Sequence, residues 1–189
     1  MKFIIIGIAG MPGVKKSKVA EILSSYGMRN FSLSSVLKEE LAIKGVQQTP
    51  ENIASVASKM RKKYGASAVA KKLMDKIKIS EDDILVIDGI RNTEEVNYLK
   101  KLCSSFILLC VHSSPLTRLK MAMNAKSDLK TLREIEKQDE YNLNLGIGEV
   151  IAKADYVIIN EDYIGMTLEE QVHRFINFLE SKKIKIPKK

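Results

Sequence analysis

Gly10, Gly13, Lys16 and Ser17 have the residue types and nearly the spacing of a loop that wraps phosphate. The pattern for such a loop is G-x-x-x-x-G-K-[ST]. Residues 10–17 read GMPGVKKS, so Lys15 stands where the second glycine belongs. In this reading the loop from Gly10 through Met11, Pro12, Gly13, Val14 and Lys15 forms a backbone cradle at a helix N-terminus, where anions are favoured. Lys16 reaches a phosphate oxygen, and the Ser17 hydroxyl ligates Mg²⁺. If position 15 needs a positive φ, a lysine there costs about 1–2 kcal/mol. If the missing glycine served close approach, the Lys15 Cβ displaces the phosphate. Against both, the long Lys15 stem can turn outward and leave the cradle intact. The plainer alternative is a glycine-containing strand–helix turn without a ligand.

A second constellation lies in ILVIDGIRN. Asp88 follows four apolar residues and so falls at the C-terminal end of a strand, where open α/β sheets bind ligands. A carboxylate there can hold Mg²⁺ through water or orient an acceptor. Arg91, after the flexible Gly89, is placed to grip a phosphate. The alternative is that Asp88 caps a turn and Arg91 is a surface charge.

The elements that must position these residues follow from periodicity. KFIIIGI (2–8), ILVID (84–88), FILLCVH (106–112) and DYVIIN (155–160) are apolar runs suited to buried strands, with a short one at 30–33. Helical patterns fill the gaps. One covers 16–25, stopped by Tyr26-Gly27, and one is VLKEELAIKG, capped by Ser34 or Ser35. Another runs from Thr49-Pro50-Glu51 to Tyr64-Gly65, followed by one across ASAVAKKLMDKI. Asn92 or Thr93 caps a helix through Leu102, and Pro115 sits in the first turn of the next. A polar helix spans about 127–152, MTLEEQVHRFINFLESKK closes the chain, and the tail IKIPKK frays. Strands alternating with helices specify one α/β domain, with a mostly parallel sheet and helices on both faces.

Composition narrows the partners. The 189 residues carry a net charge of +8, from 25 lysines and six arginines. That favours anionic partners. The lysines are dispersed along helix faces without interleaved aromatics, which argues against nucleic acid. No apolar run reaches the roughly 20 residues of a membrane span. The start MKFIIIGIAG lacks a small-residue cleavage site, so it reads as a strand and the protein as cytoplasmic. Cys103 and Cys110 lie in or beside an apolar stretch and read as buried free thiols. His112 and His173 lack metal-ligand neighbours.

Together, IIGIAGMPGVKKS, MRKKYGASAVA, VIDGIRNTEEV, VHSSPLTRL and GIGEVIAKADYVIIN resemble the archaeal adenylate-kinase-related P-loop proteins, close to nucleoside monophosphate kinases and dephospho-CoA kinases. The resemblance spans residues 4 to 160. It implies a P-loop NTPase fold with a five-stranded parallel core, a helical acceptor-binding insert at about 34–79 and a lid at about 119–145. It also implies ATP and Mg²⁺ as cofactors and a phosphorylated, nucleotide-type acceptor. By position, Lys16 and Ser17 match the triphosphate and metal residues, and Asp88 the acidic residue of the DG motif. Arg91 matches an arginine meeting the acceptor phosphate. Arg61 is a second acceptor contact, Arg118 opens the lid, and Asn160 lies near the base. Ser35 and Lys38 stand in the acceptor insert, where a Gly-Asp pair followed by arginine is usual. The lid usually carries several arginines. Here Arg118 is accompanied by Lys120 and Lys126, and a usual Arg-Asp pair is Gln138-Asp139. Lysine replaces a planar guanidinium only partly. Three readings follow: a small-molecule kinase using ATP, a degenerate paralogue that binds nucleotide with little turnover, and, as a minor alternative, a nucleic-acid-binding module.

Overall fold

A computed structural model describes residues 2–125 and 129–187. Five strands are described: β1 (Ile4–Ala9), β2 (Arg29–Ser32), β3 (Ile84–Ile90), β4 (Ser105–His112) and β5 (Tyr156–Ile159). They form one parallel sheet in the order β2-β3-β1-β4-β5. Parallel strands need crossovers, which the helices supply. These are α1 (Lys16–Ser25), α2 (Leu33–Ile43), α3 (Pro50–Tyr64), α4 (Ala68–Met74), α5 (Thr93–Leu102), α6 (Pro115–Ala125), α7 (Leu129–Asn144), α8 (Ile147–Ala152) and α9 (Leu168–Ser181).

The sheet is buried on both faces, which is why its strands read as unbroken apolar runs. Ile6, Ile8, Val86, Leu109 and Val111 face α1 and α9, where Leu23, Phe175 and Leu179 complete one core. Ile5, Ala9, Leu85, Ile87 and Leu108 face the other way, against Leu37, Val69, Leu99 and Val150. The alternation in β3 breaks once. Ile8 pairs with Asp88, but Ala9 pairs with Ile90. Gly89, at φ 96°, is the extra residue of a bulge. Beyond it, Ile90 joins Leu85 and Ile87 on the same face.

The sequence-based boundaries need several corrections. The cap of α2 is Ser32, whose Oγ accepts from the Ser34 N–H; neither Ser34 nor Ser35 caps it. The strand preceding α2 ends one residue early, and that shift moves the cap. The polar helix over 127–152 divides, because Gly146 at φ 93° interrupts it and starts α8. The helix in ASAVAKKLMDKI ends at Met74, and Lys76 and Ile77 continue as i→i+3 turns. Residues 184–187 of the tail pack against the fold instead of fraying, and residues 188 and 189 lie outside the described residues. Ile184 is buried, Ile186 packs against the α1–α9 core, and Pro187 lies against Gly27. Asn92 caps α5, accepting from Glu95 N–H, and Thr167 with Glu170 forms a capping box on α9. Cys103 and Cys110 are both free thiols; Cys110 is buried and Cys103 half-buried.

Among the described residues, no helix is long and apolar enough to cross a membrane.

Candidate functional site

With every strand parallel, the C-terminal ends of β1, β2 and β3 open on one edge. The chain leaves β1 toward β2 on one side and leaves β3 toward β4 on the other. Such a divergence opens a crevice at the strand ends. Residues 10–17 and 88–91 occupy it.

Loop 10–17 joins β1 to α1. Gly10 has φ 145°, and a Cβ there would come within 2.2 Å of the Val111 carbonyl oxygen, so this glycine is demanded by the sheet itself. Gly13 has φ 87°. Lys15 has φ 66° and ψ 35°, the left-handed conformation at the N-cap of α1. The sequence-level condition therefore holds: position 15 does need a positive φ. Lys15 is exposed while Val14 beneath it is buried, so the lysine stem turns to solvent. Replacing Lys15 with glycine should relieve about 1–2 kcal/mol of strain, offset by about 0.5–1 kcal/mol of extra chain entropy. The expected result is a Tm unchanged or raised by up to about 6 °C in a thermal melt. A lowered Tm would show that Lys15 makes a compensating contact.

Lys16 and Ser17 begin α1. The Lys16 Nζ donates to the Met11 carbonyl at 2.9 Å, folding back over its own loop. The Ser17 hydroxyl donates to Asp88 Oδ2 at 3.0 Å. Asp88 is 6% exposed, and its Oδ1 is buried without a hydrogen-bond partner. Burial pushes the Lys16 ammonium down to about 8, with Asp88 opposing that shift. Burial likewise pushes Asp88 above the usual carboxylate range, with Lys16 and then Ser17 opposing. For both groups the loss of water outweighs their mutual attraction, so the pair is short of charge compensation. A hydroxyl, a carboxylate and an unfilled carboxylate oxygen beside a phosphate-type loop fit Mg²⁺. That ion takes oxygen ligands and usually only one or two protein carboxylates.

A cleft runs from this pair toward α2, α3 and α7. Its two parts have volumes of about 270 and 180 Å³ and share Lys16, Ser34, Gly89 and Arg91. Lys38, Gln138, Tyr141 and Asn142 line the larger part. Ser17, Arg61 and Asp88 line the smaller. Burial lowers the Arg91 pKa, and the Arg61 charge lowers it further. The two guanidinium groups are held near each other despite their repulsion. Glu95, 0% exposed, explains how. Its Oε1 accepts from Arg61 Nη2 at 2.9 Å, and its Oε2 accepts from the Arg91 backbone N–H at 2.8 Å. Arg61 Nε and Nη1 remain buried without partners. Such orphan donors cost free energy unless an acceptor arrives.

Other expected residues lie elsewhere. Ser35 is exposed, donates to the Ser32 carbonyl at 2.7 Å and lines neither part of the cleft; Ser34 does. Asn160 sits beyond the opposite flank of the loop, its Nδ2 donating to the Val14 carbonyl at 3.5 Å. Arg118 is 4% exposed. It makes a bidentate pair with Asp139, at 2.7 and 2.6 Å, and donates to the Pro12 carbonyl at 3.2 Å. The guanidinium thus ties α6, α7 and the loop together. Lys120 is exposed on α6, and Lys126 lies outside the described residues. The sequence reading missed Glu95, though Asn92-x-x-Glu95 carries the spacing of a capping box. It treated Asp139 only as half of a departed pair. It also missed Glu161, which accepts from the Thr117 hydroxyl at 2.5 Å and from the Ser114 N–H at the start of α6.

A family described as an AAA domain matches residues 9–136, which include the loop, Asp88 and Arg118. A UPF0200 protein of Methanococcus maripaludis is 34% identical over 181 residues, covering 92% of this chain and 98% of its own. One from Methanocaldococcus jannaschii is 35% identical, covering 84% and 82%. Among solved structures, shikimate kinase from Aquifex aeolicus superposes with a TM-score of 0.56 at 18% identity, covering 95% of this chain and 98% of that one. The Thermus thermophilus protein TT1252 reaches 0.64 at 19% identity, covering 96% and 98%. The fold is that of the P-loop kinases, a five-stranded parallel sheet with helices on both faces. On its sequence relatives and its matching domain, the chain belongs to the UPF0200 family of AAA-domain proteins.

Proposed function

We propose that the protein is an adenylate-kinase-related phosphotransferase. In this reading it moves a phosphoryl group from ATP, with Mg²⁺, to a small phosphorylated acceptor of nucleotide type. The observation that carries the reading is the meeting of Ser17 and Asp88 beside Lys16, at the mouth of a cleft whose far wall holds Arg91 and Arg61. One side is built for a polyphosphate and the other for a second anion. Phosphoryl transfer needs little more than such positioning and charge. Helices α2 to α4 correspond to the acceptor insert at about 34–79, and α6 and α7 fall in the lid at about 119–145.

Each residue has a definable task. The loop N–H groups and Lys16 hold the donor phosphates, which requires Lys16 to leave the Met11 carbonyl. Ser17 and Asp88 would hold Mg²⁺, directly or through water. Bound there, the ion neutralises charge on the phosphate oxygens. Arg91 and Arg61 hold the acceptor's anionic group, with Glu95 fixing both. Asp88 also stands where an acceptor hydroxyl or phosphate oxygen would be oriented. The test is ADP formation by purified protein with ATP, Mg²⁺ and a panel of nucleoside monophosphates. Turnover no greater than that of Lys16→Ala would refute the proposal.

One observation favours the second reading, a nucleotide-binding paralogue with little turnover. The guanidinium of Arg118 is already engaged by Asp139. Tight ATP binding without single-turnover transfer to any acceptor would select it.

The buried ammonium gives a pH signature common to both readings. Above pH 8 the free protein carries Lys16 increasingly neutral. A bound polyphosphate favours the charged form, so binding takes up a proton. Calorimetry in buffers of different ionisation enthalpy should show that uptake. Affinity for ATP should fall by up to about tenfold per pH unit above 8. A flat profile between pH 7 and 9.5 would place Lys16 away from the phosphates. The sign reverses for stability without ligand. A depressed folded-state value means the unfolded chain binds more protons between about 8 and 10.5, so the free protein gains stability as pH rises through that window.

A further inference from the structure

A second cavity lies apart from the cleft. A groove of about 500 Å³ runs between α2, α3 and α4, beside the cleft and sharing none of its lining residues. The two sites draw on different residues of α3. Ile53, Ala54 and Arg61 line the cleft. Val56, Met60 and Tyr64, four residues apart and therefore stacked on one stripe, floor the groove. Lysines rim that floor from all three helices: Lys44 from α2, Lys59 and Lys63 from α3, Lys71 and Lys72 from α4. Only Glu40 and Asp75 oppose them in the lining. Glu40 is shared between Lys72 and Lys44, and Lys63 lies 5.0 Å from the centre of the Tyr64 ring. Lysine excess therefore survives the internal pairing.

Apolar surface continues beside the rim. Tyr64 is 59% exposed and Ile43, adjoining Lys44, is 75% exposed. Exposed apolar surface rimmed by polar groups marks an interaction site. An apolar stripe between cationic borders is complementary to a helix with one apolar face and acidic flanks. Nucleic acid fits less well. The cations are all lysines, without an arginine fork for phosphate, and one exposed tyrosine offers no run of stacking platforms.

We propose that this groove docks an acidic amphipathic helical segment of a partner protein. The partner would rest on the helix that carries Arg61, through residues that the cleft does not use. The proposal stands whether or not the cleft transfers phosphate.

Fluorescence anisotropy of the full chain tests it. The probe is a labelled peptide of about 15 residues, four helical turns, with leucines on one face and glutamates on the others. A scrambled peptide of the same composition and an oligothymidylate are the comparators. The helical peptide should bind. The double reversal Lys59→Glu/Lys63→Glu, at two exposed sites that leave the fold intact, should weaken it by about tenfold or more. Met60→Asp should do the same by removing the floor. Equal binding of the scrambled peptide would reduce the effect to bulk charge and overturn the proposal. Tighter binding of the oligothymidylate with the same lysine dependence would make the groove a nucleic-acid surface instead. Peptide binding indifferent to both variants, or no saturation by about 1 mM, a free energy near −4 kcal/mol, would also overturn it.

Discussion

Replacing Asp88 with asparagine will lower Mg²⁺-dependent ADP formation by on the order of 10²-fold, the scale for losing one group that fixes a metal or a developing charge. The side chain keeps its shape, and the Ser17 hydroxyl can still donate to an amide oxygen. What changes is charge. Asp88 is the largest of the influences that hold the Lys16 ammonium protonated against burial. Without it, the Lys16 pKa falls further below about 8, and part of the lysine is neutral at physiological pH. The metal requirement should rise at the same time, since the unfilled Oδ1 would belong to a neutral amide. Steady-state rates over a range of Mg²⁺ concentrations separate the two losses. An unchanged rate at saturating ATP and Mg²⁺ would remove Asp88 from the chemistry.

Glu95→Ala should be the most destabilising change at the site. Removing one partner of a buried ion pair costs about 3–5 kcal/mol, because the other charge is left uncompensated. Here the loss is compounded. Arg61 would lose its described charged partner, and the Arg91 backbone N–H would lose its acceptor. At roughly 2–4 °C per kcal/mol for a chain of this length, the Tm should drop by about 6–20 °C. Glu95→Gln keeps the shape and the backbone acceptor and should recover part of the stability. It should leave acceptor KM raised with donor affinity unchanged. Equal damage to donor and acceptor binding would mean that Glu95 supports the whole sheet edge rather than the arginine pair.

How much of this was open to a sequence reading depends on the range of the interaction. The five strands and most helices show locally, because burial on both faces makes a strand apolar throughout and burial on one face gives a helix its period. KFIIIGI and ILVID needed no tertiary information. That the 10–17 segment and Asp88 would meet at the strand ends was legible because both directly follow apolar strand runs. Ser35 was misplaced by one position because a cap depends on where β2 ends, and one residue moves a helical side chain by about 100°. Arg118 was read as opening a lid, and its engagement with Asp139, which spans 21 residues, leaves no local pattern. Glu95 shows the same limit. Its capping spacing is local, but its pairing with Arg61 crosses 34 residues. The groove between α2, α3 and α4 escaped notice for a related reason. Its lysines read as a solvated face on each helix, and only the packing of three helices brings them to one rim.

The single bulge in β3 has a consequence for how this chain can diverge. Before Gly89, a substitution in β3 must satisfy two cores at once, since odd and even residues face opposite sides. After it, the count restarts. The hydrophobic code of residues 84–88 and the placement of Ile90, Arg91 and Asn92 thus run on separate clocks, offset by one glycine. Drift within the strand need not reset the timing of Arg91, and retuning of the Arg91 loop need not disturb the sheet. A deletion at position 89 would join the two clocks. It would leave Ile90 opposite Ala9, on the face of Leu85 and Ile87, but the loop that carries Arg91 and Asn92 would then start from a straight strand end instead of a bulged one.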